Sequence, residues 1–237
     1  MAIKNKTALA KGLTLGLSFM LVLVTMFSPV FGGGRNGLEF ADDVFNRLSK
    51  GSSYFIPKVQ KDAAKFSGKE IVLIVKMAKP DDAAVAMKLL ARAGVQVSDD
   101  KGSLKISGDL GKILVTAAAD ADAGFKNDNA LFTTQYGLNA EAVLPVWWGL
   151  LKTMDKAFTK EKMFAESSIV VAVMKKAIEP AHNFFGIEAQ KVTEKAGLMS
   201  TLLVFYVIYT VWWGFAIYYL FEAIGLVMKK AKKKEEV

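Results

Sequence analysis

Residues 70–125 read EIVLIVKMAKPDDAAVAMKLLARAGVQVSDDKGSLKISGDLGKILVTAAADADAGF, and this stretch decides the fold of the part of the chain that is not apolar throughout. Ile71-Val72-Leu73-Ile74-Val75 is a short β-branched apolar run preceded by Gly68, which predicts a buried strand. Pro80-Asp81-Asp82 then opens a helix, because a proline in the first turn gives up an N–H that would have no partner there. Ala83, Val85, Ala86, Leu89, Leu90 and Ala93 share one side of that helix, and Gly94 closes it. Val95-Gln96-Val97 and Leu104-Lys105-Ile106 flank Asp99-Asp100-Lys101-Gly102, the pattern of a hairpin. Leu110, Ile113, Leu114, Ala117, Ala118 and Ala121 predict a second helix at the same spacing.

The order β-α-β-β-α makes up most of a ferredoxin-like unit, in which two helices pack on one face of an antiparallel sheet. A fourth strand is expected from Leu131-Phe132-Thr133-Thr134 or from Ile169-Val170-Val171-Ala172-Val173. Upstream, Leu38, Ala41, Val44, Phe45 and Leu48 predict a short amphipathic helix that Gly51 ends. Downstream, Asn139 caps a helix carrying Val143, Leu144, Trp147, Trp148, Leu151, Met154 and Phe158, broken near its start by Pro145. The stretch from about Phe164 to Ile178 fits helix or strand by pattern, and Pro180 and Gly186 predict a turn between helices.

Two blocks further out are apolar. Gly12 to Phe31 is about the length that crosses a ~30 Å hydrocarbon core, and Pro29 with Gly32-Gly33-Gly34 ends it. Two readings apply, an uncleaved anchor or a signal peptide with Val30 and Gly32 beside the cleavage point; the expectation taken is the anchor. Leu198 to Met228 would extend about 46 Å as a helix, more than the hydrocarbon needs. Its aromatic residues run through its middle instead of gathering at the two interfaces. That suits lipid contact or interlocking rings between helices, the latter helped by the small pair Thr210 and Gly214 beside Trp212 and Trp213.

Lys4, Lys6 and Lys11 precede the first block, and Lys229, Lys230, Lys232, Lys233 and Lys234 follow the second, where they suit anionic lipid. Positive residues at both outer ends predict cytoplasmic termini. The expected organisation is a basic N-terminus (1–11), a first span (12–31), an extracytoplasmic α/β domain (32–197), a second span (198–228) and a basic tail (229–237). The fold class is then a membrane-anchored α+β chain with a ferredoxin-like core and additional helices.

Formal net charge is +8, but eight lysines against three glutamates lie in and beside the apolar blocks, leaving 23 basic and 20 acidic residues elsewhere. Nucleic acid is therefore not an expected partner. The absence of cysteine excludes disulfides, thiolate catalysis and iron–sulfur ligation. His182 is the single histidine, with no second histidine or carboxylate cluster nearby in sequence to complete a catalytic or metal set. Asp120 and Asp122 stand two apart, which points them to different faces of a helix; a solvated helix end is the expectation. Neither a catalytic residue, nor a cofactor site, nor a metal site is expected.

Trp147 and Trp148, together with Thr210, Trp212, Trp213 and Gly214, are the candidate interface residues, with core packing as the structural alternative for the tryptophan pair. Glu222, the one acid in either apolar block, lies about 10 Å before Lys229 along a helix, within reach of headgroups or of a lysine. The expected function is non-enzymatic: a plasma-membrane scaffold or accessory subunit that self-associates or docks on a larger envelope complex. The alternatives are a sensor, whose signal would travel along a helix unbroken at Gly197, and a channel or transporter subunit using Glu222. By architecture alone, two terminal spans around an exported α/β domain are similar to the regulators of polysaccharide chain length, although the proline-rich signature beside the second span is missing.

Overall fold

The computed structural model describes residues 3–100 and 102–226; the lysines at 229–234 and the end of the expected second span lie outside them. In chain order the elements are α1 (Lys6–Phe27), α2 (Gly37–Ser52), α3 (Ile56–Ala64), β1 (Glu70–Val75), α4 (Pro80–Arg92), β2 (Gln96–Asp100) and β3 (Ser103–Asp109). They continue with α5 (Leu110–Phe125), α6 (Asn129–Tyr136), α7 (Ala140–Lys160), α8 (Phe164–Val173), α9 (Glu179–Asn183) and α10 (Val192–Ala223). A π turn, Met174–Ile178, joins α8 to α9. The chain is thus mostly helical α+β and divides into two compact units, residues 46–189 and the two flanks.

The flanking unit contains both helices that are long and apolar enough to cross a membrane, α1 with 22 residues and α10 with 32. Asn5 caps α1 by accepting from Ala8 N–H at 3.1 Å, which starts the helix six residues before the apolar block does. The helix stops at Phe27 because Ser28, preceding Pro29, is held extended at φ −83° and ψ 148°. The helix α10 begins at Val192 and runs through Gly197 without interruption, but residues 187–191 before it are not helical. It ends at Ala223, and beyond it Gly225, at φ +83°, lets Leu226 N–H bond back to Phe221 C=O at 2.9 Å, closing a left-handed cap.

In the unit of residues 46–189 the sheet has the order β1-β3-β2, antiparallel throughout. The hairpin forms where the sequence predicts it, and Asp99 Oδ1 accepts from Gly102 N–H at 2.9 Å to tighten the turn. Ile71, Leu73 and Val75 join Leu104 and Ile106 on the covered face, opposite fully buried Leu89, Leu90, Ile113 and Leu114. Each such side chain contributes about 1.5–3 kcal/mol relative to exposure. The other face of the sheet is open. Val72 and Ile74 are 63% and 61% exposed, so the run that reads as buried is buried on alternate residues only.

Neither stretch expected to supply a fourth strand does so. Leu131–Thr134 lies in α6, because Asp128 accepts from Leu131 N–H at 3.2 Å, Gly137 supplies a left-handed end, and Phe132 and Tyr136 fall on one buried side. Ile169–Val173 lies in α8, where burial of Ile169, Val170, Val173 and Ala177 at helical spacing overrides the β-branched composition. The two prolines expected to interrupt helices sit inside helical segments. Pro145 is carried within α7, and Pro180 occupies the first turn of α9 after the π turn, in which Glu179 N–H bonds to Met174 C=O. The sequence pattern did not single out α3, whose Ile56, Val59 and Ala63 are buried.

Candidate functional site

The paired helices of the flanking unit place most of the expected interface residues. They run antiparallel, with Lys4 and Asn5 N–H groups both donating to Ala223 C=O, at 2.8 and 3.2 Å. The pair approaches closely at Gly12, where a Cβ would stand 2.9 Å from Leu220, so glycine permits the approach. Further along, Phe19 is buried: it stacks on Tyr209 at 4.2 Å, tilts on Trp213 at 4.5 Å and meets Trp212 edge-on at 6.4 Å. Interlocking of aromatic rings between helices therefore occurs within this chain.

Thr210 and Gly214 do not take part in that contact. A Cβ on Gly214 would meet nothing within 4 Å, and the Thr210 hydroxyl donates to Tyr206 C=O in its own helix at 2.7 Å. Both residues are exposed, and only Gly214 lies clear of α1, since Thr210 borders a groove with Phe19 and Met26. Trp212 Nε1–H is buried yet meets no acceptor. Trp212 lines a groove of about 520 Å³ with Leu15, Val207, Ile208, Val211, Phe215 and Tyr219, and Trp213 and Thr210 line another of about 410 Å³. Glu222 lies at the end of the pair and accepts from Asn5 Nδ2 at 3.1 Å, while Lys11 Nζ sits 5.4 Å from the Tyr219 ring centre.

In the unit of residues 46–189 the two adjacent tryptophans have different surroundings. Trp147 is fully buried and donates its indole N–H to Asp120 Oδ2 at 2.7 Å; Trp148 is only partly covered. Asp120 is itself fully buried, which corrects the expectation of a solvated helix end. Its carboxylate also accepts from Tyr136 OH at 2.5 Å and pairs with Arg92, which in turn donates to Tyr136 OH at 2.8 Å. Burial first, and then the Asp120 charge beside it, push the Tyr136 hydroxyl well above its ordinary pKa, so it stays protonated as the donor this arrangement requires. Asp122 does face outward, to Lys126 at 2.6 Å and Tyr54 OH at 2.6 Å.

Lys50 forms a second buried polar tie. Its ammonium donates to Asn127 Oδ1 at 3.1 Å, Phe184 C=O at 3.0 Å and Ile187 C=O at 2.6 Å, and only 3% of the residue is exposed. Burial lowers its pKa, against the opposing effect of Glu188. Asn127, in the left-handed region at φ +62°, completes the tie by donating to Ile187 C=O and accepting from Gly186 N–H. The first and last stretches of this unit are thereby stapled together. All three ammonium protons have acceptors, so the group is structural.

His182 is exposed and borders a groove of about 260 Å³ with Trp148, Pro145 and Glu179. No group of three or more metal-ligating side chains occurs among the described residues. The Asp120 hub was the residue sequence reasoning missed. Its signal was present, since position 120 follows Ile113 and Ala117 along the apolar side of α5. Nothing comparable marks Lys50.

Taken together, these features define a mostly helical α+β chain with a small antiparallel sheet and two helices of membrane-spanning length. No protein-family model matches it, and neither curated proteins nor solved structures give a match.

Proposed function

We propose that this chain is a non-enzymatic assembly protein or accessory subunit of a plasma membrane, with two spans, cytoplasmic termini and a central domain outside the cytoplasm. The observation that carries the reading is that α1 leaves two sides of α10 uncovered. On one side Gly214 is open, a Cβ there meeting nothing within 4 Å, and Thr210 is exposed; on the other, Trp212 holds a buried N–H without an acceptor in the groove it shares with Leu15. An indole N–H in hydrocarbon gains from an acceptor on a neighbouring helix, and small residues let a helix approach closely on the other side. Lys4 before α1, Lys6 and Lys11 near its start, and the lysines that follow α10 in the sequence support the orientation and contact with anionic lipid. The β1-β3-β2 order supports reading residues 70–125 as a ferredoxin-like unit that lacks its last strand.

A transducer is less favoured, because the non-helical stretch at 187–191 interrupts the rod a signal would travel along. A channel role for Glu222 is less favoured because its carboxylate is engaged by Asn5 at the end of the helix pair. The test is the mass of the full-length chain after gentle detergent extraction. A discrete multimer or a stable complex with other subunits supports the reading; a monomer with no companion overturns it.

A further inference from the structure

The sheet has two outer edges, and they differ in chemistry. The edge strand β2 carries Gln96, Ser98, Asp99 and Asp100, a polar and acidic run unsuited to pairing with another strand. The edge strand β1 is EIVLIV followed by Lys76, with neither glycine nor proline and with uncharged residues from 71 to 75. Val72 and Ile74 stand on the open face beside it, and among the described residues α7 packs against β1 but no other strand pairs with its outer edge.

The register fixes which backbone groups that edge offers. The two-residue turn makes Asp100 and Ser103 the first hydrogen-bonded pair, so alternation aims the N–H and C=O groups of Leu104, Ile106 and Gly108 at β1. Leu110 N–H bonding to Lys69 C=O at 2.9 Å continues the same phase. The partners of those residues on β1 are Val75, Leu73 and Ile71. Glu70, Val72 and Ile74 therefore direct their N–H and C=O groups away from the sheet.

Resting on the assembly reading above, we propose that β1 pairs antiparallel with β1 of a second copy about a two-fold axis through Leu73, joining two three-stranded sheets into one of six. The sequence of the strand selects this occupant. Centring on Leu73 sets Glu70 opposite Lys76 of the other copy at both ends of the ladder. It sets Val72 opposite Ile74 on the open face, and Ile71 opposite Val75 on the covered face. Every outward backbone group of β1 then finds a partner, and the exposed valine and isoleucine cover each other. A shift of one residue in either direction loses both charge pairs, so the register is specified by the same residues that supply the attraction.

The test uses the full-length chain in detergent and compares Glu70→Lys, Lys76→Glu and the double exchange. Both positions are exposed, and the double exchange serves as its own control for folding. Each single change places like charges opposite each other twice and weakens self-association about tenfold; the exchange restores it. Because the natural chain has no cysteine, oxidation of a Val72→Cys/Ile74→Cys variant should give a covalent dimer. Opposed Cα atoms at a hydrogen-bonded pair lie about 5.5 Å apart, within disulfide range. A multimer that ignores the charge changes and yields no cross-link overturns this interface and leaves the assembly reading standing. A single change that weakens association without rescue by the exchange also overturns it. An unmodified chain that stays monomeric without companions removes both.

Discussion

Trp147 donates its indole N–H to Asp120 at 2.7 Å inside a core where both residues are fully buried. The carboxylate is sustained there only because Arg92 and Tyr136 complete its set of donors. A buried charge whose partners are removed is far costlier than the paired arrangement, whereas the pair itself adds little beyond an apolar filling. The arrangement therefore fixes how α4, α5, α6 and α7 pack more than it adds stability.

Asp120→Ala should accordingly be among the most damaging single changes in this unit, leaving Arg92 and the indole N–H unmatched at a cost of about 3–5 kcal/mol. Trp147→Phe keeps the ring volume nearest and loses one donor, so it should cost less, roughly 1–3 kcal/mol. Thermal unfolding followed by near-ultraviolet circular dichroism ranks the two, and an Asp120→Ala chain as stable as Trp147→Phe would contradict the hub role.

Lys50→Met removes the ammonium that satisfies Asn127 and two backbone carbonyls while keeping much of the side-chain volume. We expect a loss of about 2–4 kcal/mol, with local loosening confined to residues 184–187 and the Asn127 turn. Hydrogen exchange read by mass spectrometry checks this: amides of that segment should exchange faster, while those of β3 keep their protection relative to global stability.

How far the sequence disclosed this fold depended on whether a signal was local. The hairpin at 96–109, the helices α4 and α5 and the two apolar helices follow from periodicity, turn residues and composition, all of which act within a few residues. The stretch at 169–173 did not disclose itself, because its β-branched residues favour a strand until packing by α7 and α3 supplies a helical environment. The same applies to Pro145 and Pro180, whose helices survive because neighbouring turns are held by tertiary burial. For the sites, the sequence indicated the aromatic helix and the tryptophan pair, but the Lys50 tie joins residues 77 and 137 positions away and leaves no periodic trace.

Two of the carboxylates held below their ordinary pKa, Glu166 and Asp109, make the unit sensitive to acid. The Lys69 ammonium at 2.7 Å, followed by its own backbone N–H, holds Glu166 below its ordinary pKa. Burial would raise that of Asp109, but the N–H groups of Gly68, Lys112 and Gly111 outweigh it and hold this carboxyl low as well. Groups whose folded pKa is depressed contribute stability that is complete above their unfolded values, near pH 4, and is lost as pH falls through the folded ones. The melting temperature should therefore be insensitive to these two groups near neutrality and fall below about pH 4. In Glu166→Gln the fall should be shallower, with the part due to Asp109 remaining; an unchanged acid slope would show that the Lys69 pair carries none of it.

The two glycines of the helix pair should separate pairing within the chain from assembly between chains. A side chain at Gly12 would stand 2.9 Å from both the Leu220 backbone N and its Cγ, so Gly12→Val should push α1 from α10 and break the Phe19 stack. A side chain at Gly214 meets nothing in this chain, so Gly214→Val should leave the pair intact. Tryptophan fluorescence reads the pair, since Phe19 touches both Trp212 and Trp213. Gly12→Val should shift that emission in the detergent-extracted chain, whereas Gly214→Val should not shift it and should reduce the multimer instead. If both changes alter the emission and neither alters the mass of the complex, the Thr210–Gly214 side of α10 has no neighbouring helix.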